Sequence, residues 1–147
     1  MRRLLANAVQ FDLFQIPTAV EPTAGALSWD AQLRAALSQV LKETPHSRDI
    51  VAARMSELLG EPVTKARLDS WTAESKDGHR FPLAYLLAFE VACETHAITQ
   101  LLVAKRGCVL LVGKEALLGE LGRLDKAEAD IKAKRRRLKA QMAGGEP

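Results

Sequence analysis

From Lys114 onward, Leu117, Leu124, Ile131 and Leu138 recur every seven residues through a segment otherwise crowded with charge. Seven residues are close to two helical turns, so large apolar side chains at this interval mark one stripe of a long helix. Leu121, Glu128, Arg135 and Met142 fall at the alternating positions, which makes the stripe only partly aliphatic. A lone helix has nothing of its own to bury such a stripe against. The spacing predicts either a homodimer joined through Leu117, Leu121, Leu124, Ile131 and Leu138, or a single amphipathic helix packed on the rest of the chain. Gly144-Gly145-Glu146-Pro147 frays the end.

Just before this helix, Cys108-Val109-Leu110-Leu111-Val112 reads as a short β-strand, which needs a partner strand to be stable. Residues 108–147 therefore read as a strand plus a dimerising helix. The first 27 residues read as a flexible tail, since Pro17, Pro22 and Gly25 break any periodicity.

Between these ends, residues 28–107 read as a compact domain of five helices. Ser28 is the expected cap of the first, over about 29–43, with Trp29, Leu33, Leu37, Val40 and Leu41 on its inner face. Thr44-Pro45 stops it. Ser47 caps the second, whose stripe is Ile50, Val51, Arg54, Met55, Leu58 and Leu59, and Gly60 ends it. Thr64 caps the third, with Leu68 and Trp71 inward. Pro82 opens the fourth, carrying Leu83, Leu86, Leu87 and Val91. The fifth runs from His96 to Arg106, with Ile98, Leu101 and Leu102 inward and Gly107 as its stop. The expected class is all-α with one short strand.

Two cysteines in 147 residues make no disulfide framework. No apolar run approaches the roughly 20 residues of a membrane helix, so no membrane contact is expected. The net charge of +3 originates in the C-terminal segment, where Lys132, Lys134, Arg135, Arg136, Arg137 and Lys139 form a basic helix. Such a cluster can lie along phosphates or remain a solvated face.

Catalytic signatures are missing: there is no phosphate-binding glycine loop, no nucleophile elbow and no zinc-protease helix. Cys93 and His96, with His79 or Cys108, would make a metal site only if four ligands converged, and a cysteine on an apolar helix is more often core filling. The expectation is a non-enzymatic protein without cofactor or metal.

The informative stretch is residues 47–107. Ala52-Ala53, then Leu68-Asp69-Ser70-Trp71, then Phe81-Pro82-Leu83-Ala84-Tyr85-Leu86 together resemble the λ-repressor-like helix-turn-helix fold. The span from Ser47 to Ala73 followed by Arg80-Phe81-Pro82 is also similar to small regulators of transposable, Mu-like bacteriophages. The resemblance implies a phage or prophage transcriptional regulator in the cytoplasm of a bacterial host, binding double-stranded DNA sequence-specifically. The third helix would lie in the major groove and offer Lys65, Arg67, Asp69 and Ser70. Ser47, Arg48 and Thr64, at helix N-termini, would fix phosphates. Arg67 is the residue expected at a phosphate, while Lys65, Asp69 and Ser70 are better placed for base edges.

In the tail, Gln10-Phe11-Asp12-Leu13-Phe14 resembles the peptide by which bacterial polymerases and repair proteins dock on the DNA sliding clamp. That resemblance implies Gln10 at a small polar pocket and Leu13 and Phe14 in an apolar groove, with Asp12 between them. Alternatively, Phe11, Leu13, Phe14 and Ile16 pack back onto the domain or onto a second subunit. An adaptor working through this tail and the C-terminal helix is thus the competing expectation to DNA reading.

Overall fold

A computed structural model describes residues 17–73 and 78–144. They form α1 (Asp30–Glu43), α2 (Arg48–Leu59), α3 (Lys65–Thr72), a 3-10 turn (Leu83–Tyr85), α4 (Leu86–Cys93), α5 (Ala97–Lys105) and α6 (Lys114–Ala143). The class is all-α. Two compact units divide between Leu110 and Leu111.

The core of the first unit takes Leu37, Val40 and Leu41 from α1, Val51, Ala52 and Met55 from α2, and Leu68 and Trp71 from α3. Val63 ahead of α3 joins them, and Leu86, Ala88, Phe89, Ala92, Cys93 and Ile98 complete it from α4 and α5. Its aromatic side is a chain of edge-on contacts: Trp71 meets Phe81 at 5.3 Å and Tyr85 at 5.7 Å, and Phe81 meets Phe89 at 5.6 Å. Each such contact adds about 0.5–1.5 kcal/mol to simple burial.

Helix ends, which leave backbone groups unpaired, are closed by side chains from other helices. Buried Arg34 of α1 donates to the Ala73 carbonyl at the end of α3 (2.9 Å) and to Asp30 (3.0 Å). Arg54 of α2 donates to the Ala92 carbonyl in the last turn of α4 and to Glu94, both at 3.1 Å. Glu90 of α4, itself buried, reaches the first turn of α5. Glu94 closes α4 with φ of 58°, a left-handed conformation usually left to glycine.

Several expectations are corrected. No strand forms at residues 108–112, and none occurs among the described residues. Gly107 N–H donates to the Ala104 carbonyl (3.0 Å) and Cys108 N–H to the Val103 carbonyl (2.9 Å), so Cys108 belongs to the cap that ends α5. Its amide is spent before a ladder could use it.

Ser28 does not cap α1. Trp29 holds the cap position, and the Ser28 amide donates to the Gly25 carbonyl in the preceding turn (3.0 Å). Pro82 introduces the 3-10 turn, and α4 proper begins at Leu86. Ile50 and Leu58 on α2, and Leu83, Leu87 and Val91 at the start and along α4, point to solvent. On α4 the buried positions are Leu86, Ala88, Phe89, Glu90, Ala92 and Cys93.

Ahead of α1, Val20 N–H donates to the Lys105 carbonyl (3.0 Å). Gly107, with φ of 69°, lies so close to Pro17 and Ala19 that a Cβ there would sit 3.0 Å from the Ala19 nitrogen. Residues 17–20 therefore lie against the end of α5.

The second unit is α6 and the residues that lead into it. None of the 30 residues of α6 is buried. Leu111 folds back over Gly119, where a Cβ would come within 2.8 Å of the leucine. Glu120–Arg123 and Glu128–Lys132 are ion pairs of 2.7 Å along the exposed helix.

Candidate nucleic-acid interface

α2, the five-residue connection and α3 form the helix pair that the sequence singles out. Ser47 caps α2 by accepting from Ile50 N–H (3.4 Å), and Thr64 caps α3 by accepting from Arg67 N–H (3.2 Å). Gly60 leaves α2 with φ of 70°, which turns the chain towards Val63. The Ser56 hydroxyl accepts from Val63 N–H (2.8 Å) and donates to the Ala52 carbonyl (2.8 Å). This hydroxyl ties the connection to α2.

The other end of the pair is held by charge. Arg48, the first residue of α2, donates to Asp69 (2.7 Å) and to the Thr72 hydroxyl (3.1 Å) on α3. Asp69 and Arg48 therefore satisfy one another across the two helices. The tie places Asp69 as a support for α3 and Arg48 as its counter-charge.

Lys65 and Arg67 stand on the exposed face of α3, while Leu68 and Trp71 face the core. Arg67 donates to the Pro62 carbonyl (3.1 Å), and its guanidinium lies 6.0 Å from the Trp71 ring centroid. Ser70 is half-buried and donates to the Ala66 carbonyl (2.8 Å).

An open groove of about 470 Å³ runs beside α3, lined by Ala66, Arg67, Ser70, Trp71, Gly78, His79, Arg80 and Pro82. His79 and Arg80 are functional candidates here, although the sequence offered His79 only as a candidate metal ligand and Arg80 only within the Arg80-Phe81-Pro82 resemblance. The signal was Phe81: its ring packs on Trp71, and the residues before it must then lie alongside α3. The groove thus gathers Arg67, His79 and Arg80 on one surface.

Nearby, the Tyr85 hydroxyl donates to the Glu61 carboxylate, which raises the phenol above its ordinary range. This bond joins the α2–α3 connection to the 3-10 turn. On the opposite end of α4, His46 Nε2 lies 2.9 Å from Glu94. The His46 contact, followed by that of Arg54, holds the Glu94 carboxyl below its ordinary range.

The remaining candidates lie elsewhere. Lys132, Lys134, Arg135, Arg136, Arg137 and Lys139 are exposed on α6, in the second unit. Gln10, Asp12, Leu13 and Phe14 lie outside the described residues. Among the described residues no group of three or more His, Cys, Asp or Glu could hold a metal ion. Cys93 is buried, and burial pushes its thiol up to about 12, so it remains a protonated core side chain. No helix is long and apolar enough to cross a membrane among the described residues. No family model, curated protein or solved structure matches the chain.

Proposed function

We propose that this chain is a non-enzymatic, sequence-specific DNA-binding regulator of the λ-repressor-like helix-turn-helix kind, working as a homodimer through α6. The observation that carries the reading is the fixed α2–α3 pair, tied at one end by Ser56 to Val63 and at the other by Arg48 to Asp69 and Thr72. A recognition helix must be held rigidly by its neighbour if its side chains are to meet base edges in register.

In this mechanism α3 enters the major groove with Lys65 and Ser70 towards base edges. Arg67 and Arg80, flanking the groove beside α3, meet phosphates on one side. The capped N-termini of α2 and α3 present backbone N–H groups to phosphates. The cations of α6 add sequence-independent attraction. Asp69 acts by holding α3 and not by touching a base.

A second reading draws support from Leu83 on the 3-10 turn and Leu87 and Val91 on α4, which are 60–74% exposed. Exposed apolar side chains of this kind suit a protein partner. Salt separates the two readings. A shift assay with the full chain, DNA selected from a random pool and a random competitor should show preferential binding that weakens steeply as salt rises. Equal binding to selected and random DNA, or none, would overturn the DNA reading.

A further inference from the structure

Two properties of α6 bear on how it meets a second copy of itself. Leu117, Leu121, Leu124, Ile131 and Leu138 are 55–73% exposed along one face of the helix. The charge is also polarised along the axis. Residues 114–130 hold Glu115, Glu120, Asp125, Glu128 and Asp130 against Lys114, Arg123 and Lys126, whereas residues 131–143 hold six cations and no carboxylate.

We propose that α6 pairs with the α6 of a second copy in antiparallel orientation, in the register that sets Leu121 beside the partner's Leu138. The proposal deepens the pairing named above and is independent of DNA reading.

A parallel pair in the same heptad frame brings like charges together throughout. Glu128 would face the partner's Glu128, and Arg135 the partner's Arg135, inside the seam. On its flanks Glu120 would meet the partner's Asp125, and Lys134 the partner's Lys139. The cationic half would also lie along its own copy. Charges brought together in a partly dry seam repel more strongly than in water.

Reversing one helix removes each conflict. The layers become Leu117 with the partner's Met142, Leu121 with the partner's Leu138, Leu124 with the partner's Arg135, and Glu128 with the partner's Ile131. Every layer then contains leucine or isoleucine. The long stem of Arg135 can cover the partner's Leu124 while its head reaches the partner's Asp125 at the rim. Glu128 similarly lies next to the partner's Lys132. The carboxylate-rich half of each helix runs along the cationic half of the other, and the helix dipoles oppose. This register overlaps the helices nearly end to end.

At 1.5 Å per residue, the two points where α6 begins then stand about 45 Å apart.

Asp125→Lys distinguishes the orientations by sign. In the antiparallel pair its neighbours are the partner's Lys132 and Arg135, so sedimentation equilibrium of the full chain should show dimer affinity about tenfold weaker. In a parallel pair the neighbour is the partner's Glu120, and the same change would tighten the dimer. A second measurement uses Leu121→Cys and Leu138→Cys, each combined with Cys108→Ser. Oxidation of the mixture should give a disulfide-linked dimer, and oxidation of either variant alone should not. Tightening by Asp125→Lys, cross-linking of a single variant alone, absence of the mixed cross-link, or a mass that stays at the 16.1 kDa of one chain would each overturn the proposal. None of these readouts involves DNA, so a failed shift assay leaves this result standing.

Discussion

Glu90 and Thr99 are joined twice: one carboxylate oxygen accepts from the Thr99 backbone N–H at 2.8 Å, and the other accepts from its hydroxyl at 2.6 Å. A buried side chain of α4 thus closes the first turn of α5, where partial positive charge favours a carboxylate. Glu90→Ala should lower unfolding free energy by about 1–3 kcal/mol, since it removes a cap and strands a half-buried amide. Glu90→Gln, which keeps an acceptor but not the charge, should cost about 1 kcal/mol. Urea titration of both variants checks the order.

The Arg48–Asp69 tie predicts that Asp69 affects DNA binding without reading a base. Asp69→Ala should weaken binding to every sequence alike, by loosening α3, and leave the preference at each position unchanged. A double-mutant cycle with Arg48→Ala on stability should return a coupling of about 0.5–1 kcal/mol, as the pair is partly exposed. A change of preference confined to one base position would make Asp69 a reader after all.

Arg80 and Arg67 share the groove beside α3. Arg67→Ala and Arg80→Ala should each reduce the slope of log affinity against log salt by about one, uniformly across sequences. Lys65→Ala should instead cost roughly 1–3 kcal/mol on the selected site and relax one position. Anisotropy titrations at several salt concentrations measure both.

The depressed Glu94 carboxyl sets a pH dependence. A carboxyl whose folded value lies below its unfolded one contributes stability above the unfolded value, and this is lost as pH falls through the folded one. Wild type should therefore lose more stability on acidification than Glu94→Gln, in which the ionised partner of His46 and Arg54 is absent. Glu94→Gly adds a sharper test. It relieves the left-handed backbone, so once the pH has fallen through the folded value of Glu94 and wild type too has lost the ion pairs, it should melt above wild type. Melting curves taken in steps from pH 7 into acid check both comparisons.

The two cysteines should differ in reactivity. Cys108 is exposed, whereas Cys93 is buried with its thiol pushed up to about 12. A thiol reagent near pH 8 should modify Cys108 promptly, and Cys93 only on unfolding. Mass spectrometry of the labelled native chain decides this.

Much of the first unit was legible in the sequence because its signals are local. Ser47, Thr64 and Gly60 act within one turn of their own position, and they close α2 and α3 as their residue types predict. The 108–112 run misled because β-propensity describes a residue that has a neighbouring strand, while Gly107 commits Cys108 to the end of α5. Leu83 misled because it lies in the 3-10 turn ahead of α4, and Leu87 and Val91 because α4 is apolar on nearly every side and buries the face of Leu86, Phe89 and Cys93 instead. Small Ala88 and Ala92 lie inward in their place. The partners of Arg34, Arg54 and Glu90 and the Arg48–Asp69 tie could not be read at all. They lie from 9 to 39 residues away in the chain, and a charged residue in a helix carries no local mark of which group it will meet.

These long-range ties have a kinetic consequence. Arg34 carries α1 to the end of α3, Arg54 carries α2 to the end of α4, and Glu90 carries α4 to the start of α5. Releasing α1, α2 or α4 uncovers the terminal groups of α3, α4 or α5 respectively, so partial opening of those helices is penalised twice. The last turns of α3 and α4 and the first turn of α5, which in most proteins fray and trade their amide protons early, should here exchange together with the core.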